Sequence, residues 1–190
     1  MKVAVYGGSF NPIHYGHLLS AVWVLEKLNY DKIILVPTNI PVHKSYSDFP
    51  LPCHRLKMTE LAVEGFDYLE VSDVEIQRGG NSYTIDTVRE FKDKLNLTEK
   101  LGVIIGDDLL DGLHKWKEID NLCLETELIC LKRNNCSIIA PYPMTLLDNR
   151  VINISSTDIR DRIRNGRKID FLLPDKVKDY INKHKLYIDN

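Results

Sequence analysis

A glycine-rich turn between a predicted strand and a predicted helix constrains this chain more than any other feature. The apolar segment 3–6 predicts a buried strand, and apolar side chains at helical spacing over residues 18–25 predict a helix. Between them lies Gly-Gly-Ser-Phe-Asn-Pro-Ile-His-Tyr-Gly-His, residues 7–17, called here the glycine turn. Glycine lets the backbone approach a ligand closely, and unpaired N–H groups at a helix start attract an anion. With His14 and His17 at that start, the glycine turn predicts a phosphate site.

The glycine turn is also compatible with a purely structural role. It matches neither Gly-x-Gly-x-x-Gly nor Gly-Lys-Ser/Thr, the two common glycine-rich phosphate patterns. A glycine turn after a first strand is common in α/β domains, and a single histidine is more often a surface or capping residue. Two histidines with Gly16 between them at one helix start favour a functional role.

The glycine turn resembles the first signature of the nucleotidylyltransferase superfamily, a glycine turn followed by His-x-Gly-His. The superfamily's second signature, Ile-Ser-Ser-Thr-x-Ile-Arg, matches residues 154–160. Between the two, Ser-Tyr-Thr-Ile-Asp-Thr at residues 82–87, together with Trp116, resembles one branch, the bacterial nicotinate-nucleotide adenylyltransferases. The resemblance covers nearly the whole chain, and two distant signatures in the right order make it specific.

The resemblance implies adenylyl transfer from ATP to nicotinate mononucleotide, which gives nicotinate adenine dinucleotide and pyrophosphate in NAD synthesis. It implies that His14 and His17 are catalytic and stabilise α-phosphate oxygens. The implied ATP-binding residues are Gly8, Ser9, Phe10, His14, His17, Gly106, Asp108, Ser155, Ser156, Thr157 and Arg160. The implied mononucleotide-binding residues are Lys44, Tyr83, Thr84, Trp116 and Arg133. We expect Mg²⁺ to enter with ATP, held mainly by phosphate oxygens and without a protein cage.

Several of these residues have structural alternatives that the sequence leaves open. Asp108 could cap the helix that follows it, and residues 155–157 form a capping cluster in any case. Lys44 could be a solvated loop lysine, and Trp116 could pack as a hydrophobic lid. Arg55 matches a family arginine but suits the surface of a helix equally well.

The chain departs from the family pattern at three places. Val42 replaces the second proline of Pro-Pro-His-Lys, and His114 stands where a proline is common. Asn134 and Asn135 follow Arg133 where the family usually has Pro-Gly. These departures concern loops, so they bear on the local shape of the substrate site.

The order of predicted elements favours an α/β fold. Strands are predicted at residues 3–6, 32–36, 68–76, 101–106, 127–131 and 151–154, with helices between most of them. One helix is predicted over residues 88–95, with Ser82 or Thr84 as its ordinary N-cap. We expect a doubly wound parallel sheet of about five or six strands, Rossmann-like as the resemblance also implies. Such sheets bind ligands at the carboxyl ends of their strands. The 190 residues suit one domain, predicted over residues 1–190.

Composition argues against several other classes of protein. A net charge of −2 gives no electrostatic case for binding nucleic acid. No apolar run approaches the ~20 residues that span a bilayer, so no membrane partner is expected. Four cysteines without Cys-x-x-Cys or zinc spacing indicate a reduced, cytoplasmic protein. The sequence is compatible with a homo-oligomer but leaves the oligomeric state open.

Three alternatives to this function can be weighed against the sequence. The second substrate could be nicotinamide mononucleotide or phosphopantetheine, although Tyr83-Thr84 and Trp116 argue against the latter. A redox dinucleotide domain would need a third glycine near Asn11-Pro12 and an acidic residue where Pro37-Thr38 ends the second strand. The intact pair of His14 and His17 argues against a nucleotide sensor that has lost catalysis. Pyrophosphate release from ATP separates these alternatives.

Overall fold

The computed structural model describes residues 1–42, 50–95, 97, 99–132, 139–148 and 152–188. The strands are β1 (Val3–Gly8), β2 (Lys32–Pro37), β3 (Ile40–Pro41), β4 (Leu69–Val71), β5 (Asn81–Ser82), β6 (Leu101–Gly106), β7 (Thr126–Lys132) and β8 (Thr145–Asp148). The helices are α1 (Tyr15–Lys27), α2 (Pro52–Val63), α3 (Val74–Arg78), α4 (Thr84–Leu95), α5 (Ile119–Glu125), α6 (Ser156–Arg164) and α7 (Asp175–Lys183). A 3₁₀ helix covers Asp107–Lys115. Within these residues we find no helix with the length and apolar content that crossing a lipid bilayer requires.

Six strands form one parallel sheet in the order β4-β2-β1-β6-β7-β8. The chain starts at the centre of the sheet, builds outward to β4, and then returns to build the other half from β6. This confirms the predicted doubly wound α/β fold, with its switch point between β1 and β6. The short strands β3 and β5 pair in parallel outside the main sheet, with Ile40 opposite Asn81.

The central strand β1 is buried on both faces, which explains its uninterrupted apolar sequence. Ala4 and Tyr6 face one apolar cluster, to which α1, α2 and α7 contribute. Val3 and Val5 face the other, to which α4 and α5 contribute. Since each fully buried large apolar side chain contributes about 1.5–3 kcal/mol, these two layers hold the strand ends in place.

The prediction of a strand over residues 68–76 is wrong beyond Val71. β4 ends there, and α3 begins at Val74. The polar pair Ser72-Asp73 explains the change, since the Asp73 carbonyl accepts a helical hydrogen bond from the Gln77 N–H at 2.8 Å. The Asp73 carboxylate also accepts from the Gln77 side chain at 2.9 Å.

The predicted last strand, residues 151–154, is also wrong. The sheet ends with β8, which pairs with β7 from Ile129 opposite Thr145 to Lys132 opposite Asp148. An ion pair between Lys132 and Asp148, with N···O 2.6 Å, supports that register. Residues 152–154 form no strand and border the cavity described next, while residue 151 lies outside the described residues. The segments 145–148 and 151–154 both contain apolar residues and lie close together in the sequence. The apolar pattern alone does not show which of them forms the last strand.

Candidate active site

A cavity of about 1020 Å³ opens at the carboxyl ends of β1 and β6. All the predicted site residues that the structure describes line it: Gly8, Ser9, Phe10, His14, His17, Tyr83, Thr84, Gly106, Asp108, Trp116, Ser155, Ser156, Thr157 and Arg160. Small-molecule sites typically span ~300–1,000 Å³, so this cavity has room for a ligand larger than one nucleotide. Lys44 and Arg133, the remaining predicted residues, lie outside the described part of the chain.

The glycine turn is anchored by the buried side chain of Phe10, which is 2% exposed. The Phe10 ring packs edge-on against Tyr6 and His17, with ring centroids 5.8 and 5.2 Å apart. A Cβ atom on Gly8 would lie 3.1 Å from this ring, so glycine leaves the space the ring needs. Phe10 itself has φ +43°, which turns its backbone while its ring enters the core. Phe10 can therefore offer its backbone, but not its ring, to a ligand.

The two histidines stack at the start of α1, with ring centroids 3.8 Å apart and an interplanar angle of 27°. The backbone N–H of His14 donates to Nδ1 of His17 at 3.3 Å. An imidazole that accepts at Nδ1 has its lone pair there and carries its proton at Nε2. This hydrogen bond favours the tautomer of His17 that carries an Nε2–H donor. Such a donor suits a phosphate oxygen in the cavity.

The glycine between the histidines has a specific steric role. A Cβ atom at Gly16 would lie 2.9 Å from both Nδ1 and Cε1 of His14. Real Cβ atoms essentially never approach so closely, so only glycine leaves the His14 ring where it is. The spacing His-x-Gly-His thus follows from the stacking of the two rings.

The start of α6 is bonded directly to the glycine turn. The Ser156 hydroxyl donates to the Pro12 carbonyl at 2.9 Å, and Arg160 Nη1 donates to the Asn11 carbonyl at 2.9 Å. Ser155 caps α6 by accepting from the Asp158 N–H at 3.1 Å, as its capping interpretation predicts. The two signatures, distant in sequence, therefore form one continuous wall of the cavity.

Arg160 is half-buried rather than a free surface side chain. Besides its bond to the glycine turn, its Nη2 donates to Thr157 Oγ1 at 3.3 Å. Burial raises the pKa of the neighbouring Tyr187, while the charges of Arg160 and Arg55 lower that pKa. Arg160 thus braces the glycine turn in addition to lining the cavity.

The start of α4 forms another part of the cavity wall. The N–H groups of Asp86 and Thr87 donate to the Tyr83 carbonyl at 3.1 and 3.3 Å, which places Tyr83 just before the first helical residue, Thr84. The prediction that Ser82 or Thr84 caps this helix is therefore wrong, as is the predicted helix start at Val88. The first N–H groups of any helix have no partner within it, so this end of α4 can receive an anion.

Trp116 directly follows the 3₁₀ helix and lines the same cavity. Its neighbour Lys117 forms an ion pair with Asp86 on α4, with N···O 2.8 Å, and lies 5.0 Å from the centroid of the Tyr83 ring. This contact attaches the Trp116 segment to the start of α4. Two aromatic side chains, Tyr83 and Trp116, therefore border the cavity beside a helix N-terminus.

The helix-surface interpretation of Arg55 is wrong, because the residue is 0% exposed. Its Nη1 donates to the Ser9 carbonyl at 2.9 Å, and its Nη2 donates to the Asn39 carbonyl at 3.0 Å. The spacing of apolar and small residues along α2 carried a signal for the burial of Arg55. Met58, Thr59 and Ala62 are buried at three, four and seven positions after Arg55, on the same helical face.

Glu75 is a second buried charge that the sequence did not reveal, since it fell within the incorrect strand over residues 68–76. It is 5% exposed and lines the cavity. The Thr87 hydroxyl donates to Glu75 Oε1 at 2.6 Å. Burial raises the pKa of Glu75, while hydrogen bonds from Ser82 and Thr87 and the charges of Arg78 and Arg55 oppose that rise.

Comparisons with known proteins agree with this geometry. The sequence profile described as "Cytidylyltransferase-like" matches residues 5–162. The nicotinate-nucleotide adenylyltransferase of Bacillus subtilis is 38% identical over 186 residues, which cover 98% of each chain. A Bacillus licheniformis protein named "Probable nicotinate-nucleotide adenylyltransferase" is 40% identical over 186 residues, again 98% of each chain.

A solved structure supports the fold. The nicotinic acid mononucleotide adenylyltransferase of Plasmodium falciparum, in complex with NaAD, aligns with a TM-score of 0.76 and 24% identity. The alignment covers 98% of this chain and 97% of that one. From the profile match and the full-length relatives, the chain belongs to the cytidylyltransferase-like family and, within it, to the nicotinate-nucleotide adenylyltransferases.

Proposed function

We propose that this chain transfers the adenylyl group of ATP to nicotinate mononucleotide, forming nicotinate adenine dinucleotide and releasing pyrophosphate. The observation that carries the proposal is the convergence of three helix starts on one cavity, those of α1, α4 and α6. Helix N-termini favour anions, and the two substrates together bring phosphates and a carboxylate. The names of the full-length relatives support the same reaction.

In this reaction a phosphate oxygen of the mononucleotide attacks the α-phosphorus of ATP. The new P–O bond forms as the bond to the pyrophosphate oxygen breaks, and the electron pair leaves with pyrophosphate. No side chain forms a covalent intermediate, so the protein contributes positioning and charge stabilisation. The Nε2–H of His17, the neighbouring His14 and the backbone of Gly8–Phe10 would stabilise the reacting phosphate oxygens.

The ATP half of the cavity lies between the glycine turn and α6. Ser155, Ser156, Thr157 and Arg160 would hold the β- and γ-phosphates at the start of α6. Asp108, exposed in the first turn of the 3₁₀ helix that follows β6, would accept hydrogen bonds from ribose hydroxyls near Gly106. Mg²⁺ would enter as part of the ATP substrate, because it is usually bound by substrate phosphates.

The mononucleotide half lies between α4 and the 3₁₀ helix. The first N–H groups of α4, beside Tyr83 and Thr84, would accept the nicotinate carboxylate, and Trp116 would stack on the pyridine ring. Lys44 and Arg133 remain predictions for this half, with Lys44 expected to meet substrate phosphate.

One assay tests the proposed function and its alternatives. Pyrophosphate release from ATP is measured with no second substrate, with nicotinate mononucleotide and with phosphopantetheine. We expect release only with the mononucleotide. Release with phosphopantetheine alone would assign a different transferase, and release with neither would favour a nucleotide-binding protein without transferase activity.

We expect Arg160→Ala to raise the KM for ATP about tenfold, as loss of one charge-assisted hydrogen bond does. The KM for nicotinate mononucleotide should change much less, because Arg160 lines only the proposed ATP half. The melting temperature should also fall by a few degrees, since Arg160 is half-buried and holds the Asn11 carbonyl. Arg162→Ala is the matched control, because Arg162 lies on the same helix but outside the cavity lining. Equal rises in both KM values would assign Arg160 a structural role only.

We expect Gly16→Ala to lower kcat about tenfold, since displacing a catalytic group by a fraction of an ångström disturbs its alignment. The new methyl group would press on the His14 ring, 2.9 Å away. Gly112→Ala is the control, because a Cβ atom there meets nothing within 4 Å. Steady-state rates for both variants decide the matter, and parent-like turnover of Gly16→Ala would remove His14 from the catalytic pair.

A further inference from the structure

A chain of hydrogen bonds connects the glycine turn to the start of α4. It begins at Arg55, whose guanidinium joins the carbonyls of Ser9 and Asn39 at 2.9 and 3.0 Å. Ser9 belongs to the proposed ATP half. Asn39 lies between β2 and β3, outside the glycine turn. Arg55 therefore continues the link between β1 and β2 past their last paired residues, Gly8 and Pro37, where Thr38 N–H donates to the Gly8 carbonyl at 2.9 Å.

From Asn39 the connection continues to the mononucleotide half. The backbone N–H of Asn39 donates to Ser82 Oγ at 2.9 Å, and its side-chain amide donates to the Gly80 carbonyl at 3.0 Å. The pairing of β3 with β5 adds backbone support at the same place. Since Ser82 directly precedes Tyr83 and Thr84, it fixes where α4 begins.

A second group of polar side chains holds the first turn of α4 from below. Thr87 donates to the buried Glu75 carboxylate at 2.6 Å and accepts from Arg78 Nη2 at 2.9 Å. The charge of Arg55 also acts favourably on the Glu75 carboxylate. The start of α4 is therefore held both through Ser82 and through Thr87.

A fully buried guanidinium is costly to desolvate, and an apolar side chain often serves stability as well or better. What the guanidinium of Arg55 offers instead is geometry, because its planar fork of N–H groups can hold two carbonyls at a fixed separation. Adenylyl transfer needs such a fixed separation, because the attacking oxygen and the α-phosphorus arrive on substrates bound in different halves of the cavity.

We propose that Arg55 and Ser82 are positioning residues that hold the ATP half and the mononucleotide half of the cavity at the distance the transfer step requires. The inference rests on the proposed function, since it assigns one substrate to each half. Neither residue needs to touch a reacting atom. Their effect should therefore appear in the transfer step rather than in the binding of either substrate alone.

The test compares kcat with the affinity for each substrate in Arg55→Lys, Ser82→Ala and the double variant. A lysine places one compact ammonium where two carbonyls need donors. Alanine at position 82 removes the acceptor of the Asn39 N–H and also the hydrogen bond from Ser82 to Glu75. We expect each single variant to lose about tenfold in kcat, in line with the sensitivity of oriented reactions to misplacement. Calorimetric Kd values for ATP alone and for nicotinate mononucleotide alone should stay within about threefold of the parent, as expected when substrate contacts are intact.

The double variant separates positioning from a general loss of stability. Because both residues belong to one connection, the double variant should lose no more in kcat than Arg55→Lys alone. Thr126→Val is the matched control: Thr126 is 3% exposed, its buried hydroxyl donates to the Leu122 carbonyl, and neither residue lines the cavity. It should lower the melting temperature while leaving kcat unchanged.

Each other result overturns the inference. Parent-like kcat in Ser82→Ala, multiplied losses in the double variant, or an equal loss in Thr126→Val would all do so. A rise in the Kd for the mononucleotide alone that matches the loss of kcat would make Ser82 a direct ligand instead. Should Arg55→Lys fail to fold, Ser82→Ala against Thr126→Val still decides. A parent protein that releases no pyrophosphate defeats the proposed function, whereas an active parent with unaffected variants defeats the positioning role alone.

Discussion

The His17→Ala variant is expected to lose about 10²-fold or more in kcat, the loss typical of removing one transition-state hydrogen-bond donor. His17 accepts the His14 N–H at Nδ1, which favours a proton on Nε2, and its ring lines the cavity in which a phosphate oxygen would bind. Charge on the α-phosphate oxygens redistributes as the new bond forms, and a prearranged donor stabilises it without reorganisation. Alanine removes this donor and the stacking partner of the His14 ring.

His14→Ala should show a similar loss, because the two rings are stacked and share the cavity edge. Both variants should fold, which circular dichroism and a melting curve would check. His54→Ala serves as the matched control, since His54 lies on α2, bonds to the Tyr180 hydroxyl at 2.9 Å and does not line the cavity. Turnover of His17→Ala near the parent rate would show that the catalytic assignment is wrong.

We also expect kcat/KM for nicotinate mononucleotide to exceed that for nicotinamide mononucleotide by at least about tenfold and by up to about 100-fold. The reason is a hydrogen-bond mismatch that costs about 1–3 kcal/mol. The acid and amide substrates differ in one group, a carboxylate against a neutral carboxamide. The first N–H groups of α4 can only donate, so they favour a group that only accepts. A carboxamide would turn its NH₂ group toward these donors or leave hydrogen bonds unmade.

Comparing both substrates in one pyrophosphate-release assay measures this preference. The Trp116→Ala variant supplies a control within the same half of the cavity, because stacking on the pyridine ring is common to both substrates. It should weaken both substrates and leave their ratio unchanged. Equal kcat/KM values for the parent, or a preference for the amide, would remove the carboxylate site at α4 from the proposed function.

Much of the fold was accessible from the sequence because it depends on local patterns. Apolar spacing and capping residues correctly predict several elements. These are the strand, glycine turn and helix at the N-terminus, the strands β2, β6 and β7, and the helix after Ser155. The two signatures also identified the two segments that together form one wall of the cavity. Their contact at the Pro12 and Asn11 carbonyls is seen only in the structure, because residues 152–154 before α6 form no strand.

The sequence by itself determined the family, the doubly wound sheet and a set of residues that line the cavity, since each rests on motifs or on the order of short segments. Tertiary structure alone decided which polar groups surround the buried charges, where the last strand lies and how the glycine turn is connected to the start of α4. Arg55 and Glu75 are ordinary surface residue types by sequence, and only the carbonyls and hydroxyls that surround them make their burial favourable. Those partners come from distant segments, and no local pattern specifies a contact between them.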